Sequence, residues 1–181
     1  FRYSIGVFEP LWATHLDDLG ASTRVIGFSL TAFALPMMIV AKPAGRMTDR
    51  FGARWMSLVP ALISAVLMMT YGYTSFLWVI IMVSGVHGMM EAALSPATQA
   101  GIADVTADQD AASAQGLAEA AGSAASAVGA FSAPVVFDIW GAGPAWLMAG
   151  CVMVALVAVS WLLDRPTLKP SNGMGREPVG Q

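Results

Sequence analysis

The ten residues Gly-Arg-Met-Thr-Asp-Arg-Phe-Gly-Ala-Arg at positions 45–54 form a short charged segment between two long apolar runs. Residues 25–41 before it carry no charged side chain, and residues 55–90 after it contain no Asp, Glu, Lys or Arg. A connection this short between two such runs is typical of a helical hairpin whose two arms cross a membrane. The arginines within it favour the cytoplasmic side.

The composition extends this interpretation to the whole chain. Hydrophobic residues make up 56% of the 181 residues and charged residues only 12%, whereas a soluble domain carries about a quarter charged residues. Because lipid cannot satisfy exposed backbone groups, long apolar runs of this kind are expected to be helices. The expected fold class is therefore all-α: a polytopic membrane protein built as a six-transmembrane-helix bundle.

Charged and turn-forming clusters divide the apolar sequence into six segments, each near the length of about 20 residues that a membrane span needs. We place the spans at about residues 1–19, 25–44, 55–71, 76–102, 112–137 and 145–163. They form one domain over residues 1–164, and residues 165–181 are expected to be a disordered cytoplasmic tail. Phe1 already lies in an apolar stretch, so the chain is expected to be a fragment.

The basic residues favour one orientation of these six spans. With residues 45–54 inside, most fall on that side: Arg2, Arg46, Arg50, Arg54, Arg165, Lys169 and Arg176, with Lys42 at its edge. Arg24 lies on the opposite side. Because cytoplasmic loops carry an excess of Lys and Arg, both ends of the chain are predicted to be cytoplasmic in a plasma or inner cell membrane.

The charged segment resembles the signature loop of the major facilitator superfamily of transporters. The matching residues are Gly45, Asp49, Arg50, Gly52 and Arg54, whereas Ala53 stands where the family often has a basic residue. The resemblance implies that Asp49 and the nearby arginines act as a conformational latch against a helix of the partner half. The alternative is that the arginines only set the topology.

By the same resemblance, the six spans correspond to one half of such a transporter. The fourth span has no arginine, and the fifth keeps only Gly129 and Pro134 of a glycine-proline motif, so the C-terminal half fits better. The resemblance implies a secondary active transporter of a small molecule, with proton-coupled efflux by alternating access as the expected mode. Its partners would be the lipid bilayer, a missing N-terminal six-helix half, a small-molecule substrate and protons. No cofactor, metal or nucleic acid is expected.

Carboxylates within the spans are the candidates for proton coupling, because charge in the bilayer interior is costly and is usually functional. Glu9 falls near the membrane midplane, and Pro10 after it favours a local break in the helix. His87 and Glu91 are four residues apart and share one helix face. The alternatives are a neutral, hydrogen-bonded core carboxyl for Glu9 and a structural hydrogen bond for the pair.

Other polar residues receive structural interpretations. His15, Asp17 and Asp18 are expected to face water at the outer end of the first span. Glu119 is expected to reach the cytoplasmic edge, and the small residues of the fifth span to pack closely against a neighbouring helix.

Two alternatives to one half of a larger transporter stay open at this point. One is a six-span half-transporter that acts as a homodimer. The other is a membrane-embedded hydrolase, for which Ser84, His87 and Glu91 are the available residues. Ser84 lacks a nucleophile motif, so we expect no enzymatic activity.

Overall fold

The computed structural model describes residues 1–163, apart from the side chains of Val105 and Asp108. This part of the chain forms six α-helices: α1 (Arg2–Asp18), α2 (Thr23–Phe51), α3 (Ala53–Tyr71), α4 (Leu77–Val105), α5 (Ala111–Trp140) and α6 (Ala142–Leu163). A single 3₁₀ turn precedes α5. The helical membrane bundle expected from the sequence is confirmed, and the predicted tail lies outside the described residues.

Helices α2 to α6 are long and apolar enough to cross a membrane. Helix α1 has 17 residues and carries charged residues near both ends. Its length lies at the lower end of the range of about 17–25 residues for a membrane-spanning helix. Five candidate spans are therefore found in residues 1–163, and the count of six crossings stays a prediction.

The charged segment at residues 45–54 is not the loop that we expected. Helix α2 continues through Phe51, and α3 begins at Ala53, so that Gly52 alone separates the two helices. Gly52 has φ 86° and ψ 149°, a conformation that glycine adopts readily because it has no Cβ. The charged residues before it stay helical, because long charged side chains can reach water from a helix as well as from a loop.

The connection between α5 and α6 follows the same rule. The predicted spans leave residues 138–144 between them, but α5 continues through Trp140 and α6 begins at Ala142. Gly141, with φ 84°, makes the reversal. Pro144 falls in the first turn of α6, where its missing N–H costs no helical hydrogen bond.

Three helix pairs pack most extensively in the bundle, namely α1 with α5, α2 with α4, and α3 with α6. Helices α1 and α5 meet through reciprocal glycines. A Cβ on Gly6 would collide with the backbone of Ser126, and a Cβ on Gly129 would lie 2.7 Å from the carbonyl oxygen of Tyr3. Small residues let membrane helices approach this closely, so the close packing expected for the fifth span is present.

Glycine has the same role in the other two pairs. A Cβ on Gly88 of α4 would collide with the carbonyl oxygen of Phe33 in α2. A Cβ on Gly150 of α6 would lie 2.7 Å from the carbonyl oxygen of Ala65 in α3. Every one of the three main helix pairs is thus held at a distance that leaves no room for a larger side chain at its crossing point.

Aromatic rings fill the core between α1, α3 and α6. Trp12, Tyr71 and Trp146 are fully buried. The ring of Tyr71 lies 5.3 Å from Trp12 and 5.0 Å from Trp146, both edge to face, and Phe8 stacks on Trp12 at 4.6 Å. These orientations are the favoured ones for aromatic pairs. Phe8 and Tyr71 of this cluster also border the candidate site.

Candidate functional site

A cavity of about 310 Å³ lies between α1, α2 and α4. Most of its lining is apolar: Ile5, Phe8, Leu30, Phe33, Ala34 and Met37. The polar lining residues are Ser4, Glu9, His87 and Glu91. The structure therefore brings together at one cavity all three residues that the sequence selected as candidates for proton coupling.

Glu91 and His87 form the buried end of this site. Their side chains are 4% and 1% exposed, and His87 Nε2 lies 3.3 Å from Glu91 Oε1. The contact lacks hydrogen-bond geometry at Nε2. Ser4 Oγ of α1 donates a hydrogen bond of 3.0 Å to the same Oε1 atom. Glu91 Oε2 has no hydrogen-bond partner within residues 1–163, so this buried carboxyl retains an unused acceptor atom.

The imidazole of His87 is held from three sides. The hydroxyl of Tyr71 lies 3.1 Å from Nδ1. The rings of Phe8 and Phe33 meet the imidazole edge to face, each with a centroid separation of 5.7 Å. Helices α1, α2 and α3 thus all contribute to the orientation of one side chain on α4.

Glu9 lies at the same cavity but in a different environment from Glu91. Its side chain is exposed in this chain. Helix α1 runs without interruption past Pro10, so the expected break of the helix is wrong. An interior proline removes one hydrogen bond and crowds the carbonyl four residues earlier, but here the helix continues on both sides of it. A continuous helix therefore holds Glu9 at the cavity.

His15 does not face water, as we expected it to do. It is buried, its Nε2 lies 3.1 Å from the carbonyl oxygen of Tyr71, and its ring packs against Trp146. The last turn of α1 lies within the aromatic core. A buried polar group such as this imidazole needs a hydrogen-bond partner there. Asp17 and Asp18 are exposed, as expected.

Glu119 forms an ion pair with Arg2, which joins α5 to the start of α1. Both side chains are exposed. Pairs of this kind contribute little to stability, typically about 0–1 kcal/mol. Glu119 therefore lies at the rim of the bundle and takes no part in the cavity.

The five signature residues surround the single-residue turn at Gly52. Asp49 and Arg50 are exposed on the last turns of α2, and the Arg50 guanidinium lies 5.3 Å from the centre of the Phe51 ring. Gly45 lies further back in α2. Arg54, in the first turn of α3, lines a second cavity of about 440 Å³. The exposed carboxylate of Asp49 is accessible to an element outside residues 1–163.

Sequence reasoning did not find Ser4 and Tyr71 as parts of the site. Each lies in a different helix from His87 and Glu91, and the contacts that bring them together are between helices. The spacing of residues along the chain does not reveal a contact between two helices. Tyr71 is the last residue of the third predicted span, but its ring is buried in the core.

The structure does not place Ser84 as the nucleophile that the hydrolase alternative requires. The hydroxyl of Ser84 is buried and donates a hydrogen bond of 2.8 Å to the carbonyl oxygen of Ile81 in its own helix. Serine on a helix commonly bonds in this way. In this arrangement the Ser84 hydroxyl donates its proton to a backbone carbonyl and not to a base.

Comparison with known proteins identifies the family. The sequence matches the family description "Major Facilitator Superfamily" over residues 1–180. It is 26% identical over 168 residues to Multidrug resistance protein 1 of Bacillus subtilis (strain 168), covering 93% of this chain and 43% of that protein. It is 27% identical over 117 residues to Multidrug resistance protein 2 of the same organism, covering 65% of this chain and 29% of that protein.

The chain thus spans less than half the length of these two curated relatives. The family match nevertheless runs over almost all of its residues, including the charged segment and every helix. It agrees with the apolar helical bundle and leaves no place for a hydrolase. The chain belongs to the Major Facilitator Superfamily, and so to a family of membrane transporters rather than of enzymes.

Proposed function

We propose that this chain is one six-helix half of a transporter that exports small apolar molecules across the plasma membrane in exchange for protons. The half would rock against a second six-helix bundle and expose the cavity to each side of the membrane in turn. The cavity between α1, α2 and α4 is the observation that carries this proposal. It combines an apolar wall with Glu9, His87 and Glu91.

The lining also favours a class of substrate. Two of the polar lining residues are glutamates, and none of the ten lining residues is Lys or Arg. An anion would therefore meet no fixed positive partner there, apart from His87 when it is protonated. We infer that the transported molecule is apolar and either neutral or positively charged. Both relatives are named multidrug resistance proteins, and export of drug-like molecules is in keeping with those names.

Two routes for the proton fit the cavity. In the first, Glu9 exchanges the proton, because its exposed side chain is open to water whenever the cavity is open. In the second, the buried pair of His87 and Glu91 exchanges it, because Glu91 Oε2 has no partner within residues 1–163. A carboxyl within a membrane span is by default a candidate functional residue, and both routes would carry the proton beside the substrate.

The signature residues and the orientation complete the proposal. Asp49, with Arg50 and Arg54 near it, would latch this half against a helix of the second bundle in one conformation. The segment around Gly52 would lie in the cytoplasm, as would both ends of the chain. We assign the chain to the C-terminal half, in keeping with the sequence of its fourth and fifth spans.

The experiment that tests the proposal is substrate flux in proteoliposomes that contain the full-length protein. Ethidium serves as the apolar cationic probe, and flux is followed with and without an imposed pH gradient. The wild-type protein should accumulate ethidium only with the gradient. Glu9→Gln keeps the shape and polarity of the side chain but cannot titrate, so it should lose the response to the gradient and keep passive exchange.

The result also distinguishes between the two routes. If Glu9→Gln responds to the gradient as the wild-type protein does and Glu91→Gln does not, the proton is carried by the buried pair. If neither substitution changes the response, the proposed coupling at this cavity is wrong. Glu119→Gln is the matched control, because Glu119 is an exposed carboxylate that does not line the cavity.

A further inference from the structure

The geometry around His87 assigns a role to Tyr71: we propose that its hydroxyl sets which nitrogen of His87 carries the proton, and thereby tunes the pair of His87 and Glu91. The hydroxyl of Tyr71 lies 3.1 Å from His87 Nδ1. Tyr71 is on α3 and His87 on α4, so the effect crosses from one helix to the next. Tyr71 is a positioning residue, since it acts on the site through His87.

The direction of this hydrogen bond follows from the burial of Tyr71. Its side chain is only 1% exposed, and a buried hydroxyl that cannot donate its proton is costly. Within residues 1–163, His87 Nδ1 is the acceptor that the Tyr71 hydroxyl reaches. Tyr71 therefore donates, and Nδ1 of neutral His87 carries no proton. The proton of the imidazole then lies on Nε2.

The tautomer decides what Glu91 meets. Nε2 lies 3.3 Å from Glu91 Oε1, without the geometry of a hydrogen bond. With a proton on Nε2, His87 turns an N–H rather than a lone pair to the side on which Glu91 lies. When the imidazole takes up a second proton at Nδ1, the hydroxyl of Tyr71 loses its acceptor. Tyr71 thus favours the tautomer of neutral His87 in which Nδ1 is the acceptor and Nε2 carries the proton.

The other groups around His87 do not replace this contact. Helix α2 presents only the apolar side chains Leu30, Phe33, Ala34 and Met37 to the cavity. Helix α1 presents Glu9 at the cavity and Ser4, whose hydroxyl is bound to Glu91. His15 of α1 contacts the backbone carbonyl of Tyr71, not its hydroxyl. Tyr71 is therefore the contact that distinguishes the two imidazole nitrogens.

Nitrogen-15 NMR of histidine-labelled protein tests the tautomer directly, because a protonated and a bare imidazole nitrogen give well-separated signals. The full-length protein is compared with Tyr71→Phe, and the signals of His87 are those absent from His87→Gln. We expect a single tautomer with Nε2 protonated in the parent protein and a mixture of tautomers in Tyr71→Phe. The same single tautomer in both proteins would overturn the assignment.

The pH dependence of ethidium flux gives the functional readout. Because the lost hydrogen bond is made to His87 itself, Tyr71→Phe should shift the pH midpoint of transport. Ser29→Ala is the control, because it removes the 2.8 Å hydrogen bond from Trp12 Nε1 within the same aromatic cluster and does not touch His87. It should reduce the amount of folded protein without a change in the midpoint.

Only the flux readout rests on the proposed function. If the parent protein shows no response to pH at all, the proposed proton coupling fails, and the NMR comparison still decides the role of Tyr71. If Tyr71→Phe and Ser29→Ala shift the midpoint equally, Tyr71 has only a packing role, and the inference is wrong.

Discussion

Ser4 and Glu91 join the two helices that form the buried end of the cavity. The hydroxyl of Ser4 in α1 donates to Oε1 of Glu91 in α4 over 3.0 Å, although the two residues are 87 positions apart in the chain. Both side chains are buried. A change in the charge of Glu91 therefore acts directly on α1, the helix that also carries Glu9.

This contact can be measured with a double-substitution cycle of Ser4→Ala and Glu91→Gln. Hydrogen bonds to charged groups contribute about 1.5–3 kcal/mol, and residues in direct contact typically show coupling of about 0.5–3 kcal/mol. The two substitutions together should lower the melting temperature in detergent by clearly less than the sum of their separate effects. Additive shifts would mean that the contact contributes nothing to stability.

The close approach of α1 and α5 predicts that Gly6→Ala is destabilising. Its new methyl group would collide with the backbone of Ser126, and overpacking of this kind costs about 1–3 kcal/mol. Gly116→Ala, on α5, is the matched control, because no atom lies within 4 Å of the added methyl group. Thermal unfolding in detergent should show a loss for Gly6→Ala and no loss for Gly116→Ala.

The orientation can be tested by labelling with a membrane-impermeant maleimide in intact cells. Ser22 and Gln109 lie at opposite ends of the bundle, before α2 and before α5, and both are exposed. In a background without other cysteines, Cys151 included, Ser22→Cys should react and Gln109→Cys should react only after the cells are opened. The reverse pattern would place the segment around Gly52 outside the cell.

The latch hypothesis predicts that Asp49→Asn slows transport and leaves binding of ethidium almost unchanged. Asp49 is 12 residues beyond Met37, the last cavity residue of α2, which corresponds to about 18 Å along the helix. Asp17→Asn, an exposed carboxylate at the other end of the bundle, should change neither property. A marked loss of binding in Asp49→Asn with normal flux would contradict the latch.

Much of the fold could be predicted because its signal is local. Continuous apolar runs predicted the helices, and the clusters between them predicted where the chain reverses. The lengths of the connections could not be predicted in the same way. A charged segment that ends in glycine fits a loop or a helix followed by one turning residue, and only the packed structure distinguishes between them, as at Gly52 and Gly141.

The candidate site was predicted in part for the same reason. Glu9, His87 and Glu91 were identifiable because charged and titratable side chains are rare in apolar spans. The positions of Ser4, Tyr71 and His15 depend on which helices become neighbours. A serine, a tyrosine or a histidine near the end of a span carries no mark that distinguishes a core residue from one at the membrane edge.

The single-residue connections have a mechanical consequence. A bundle that rocks must pass rotation from one helix to the next, and a long loop would absorb that rotation as slack. Gly52 and Gly141 leave no such slack between α2 and α3 or between α5 and α6. In the proposed rocking motion each pair would therefore turn as one bent unit, and a force on the exposed end of α2 would pass directly to α3.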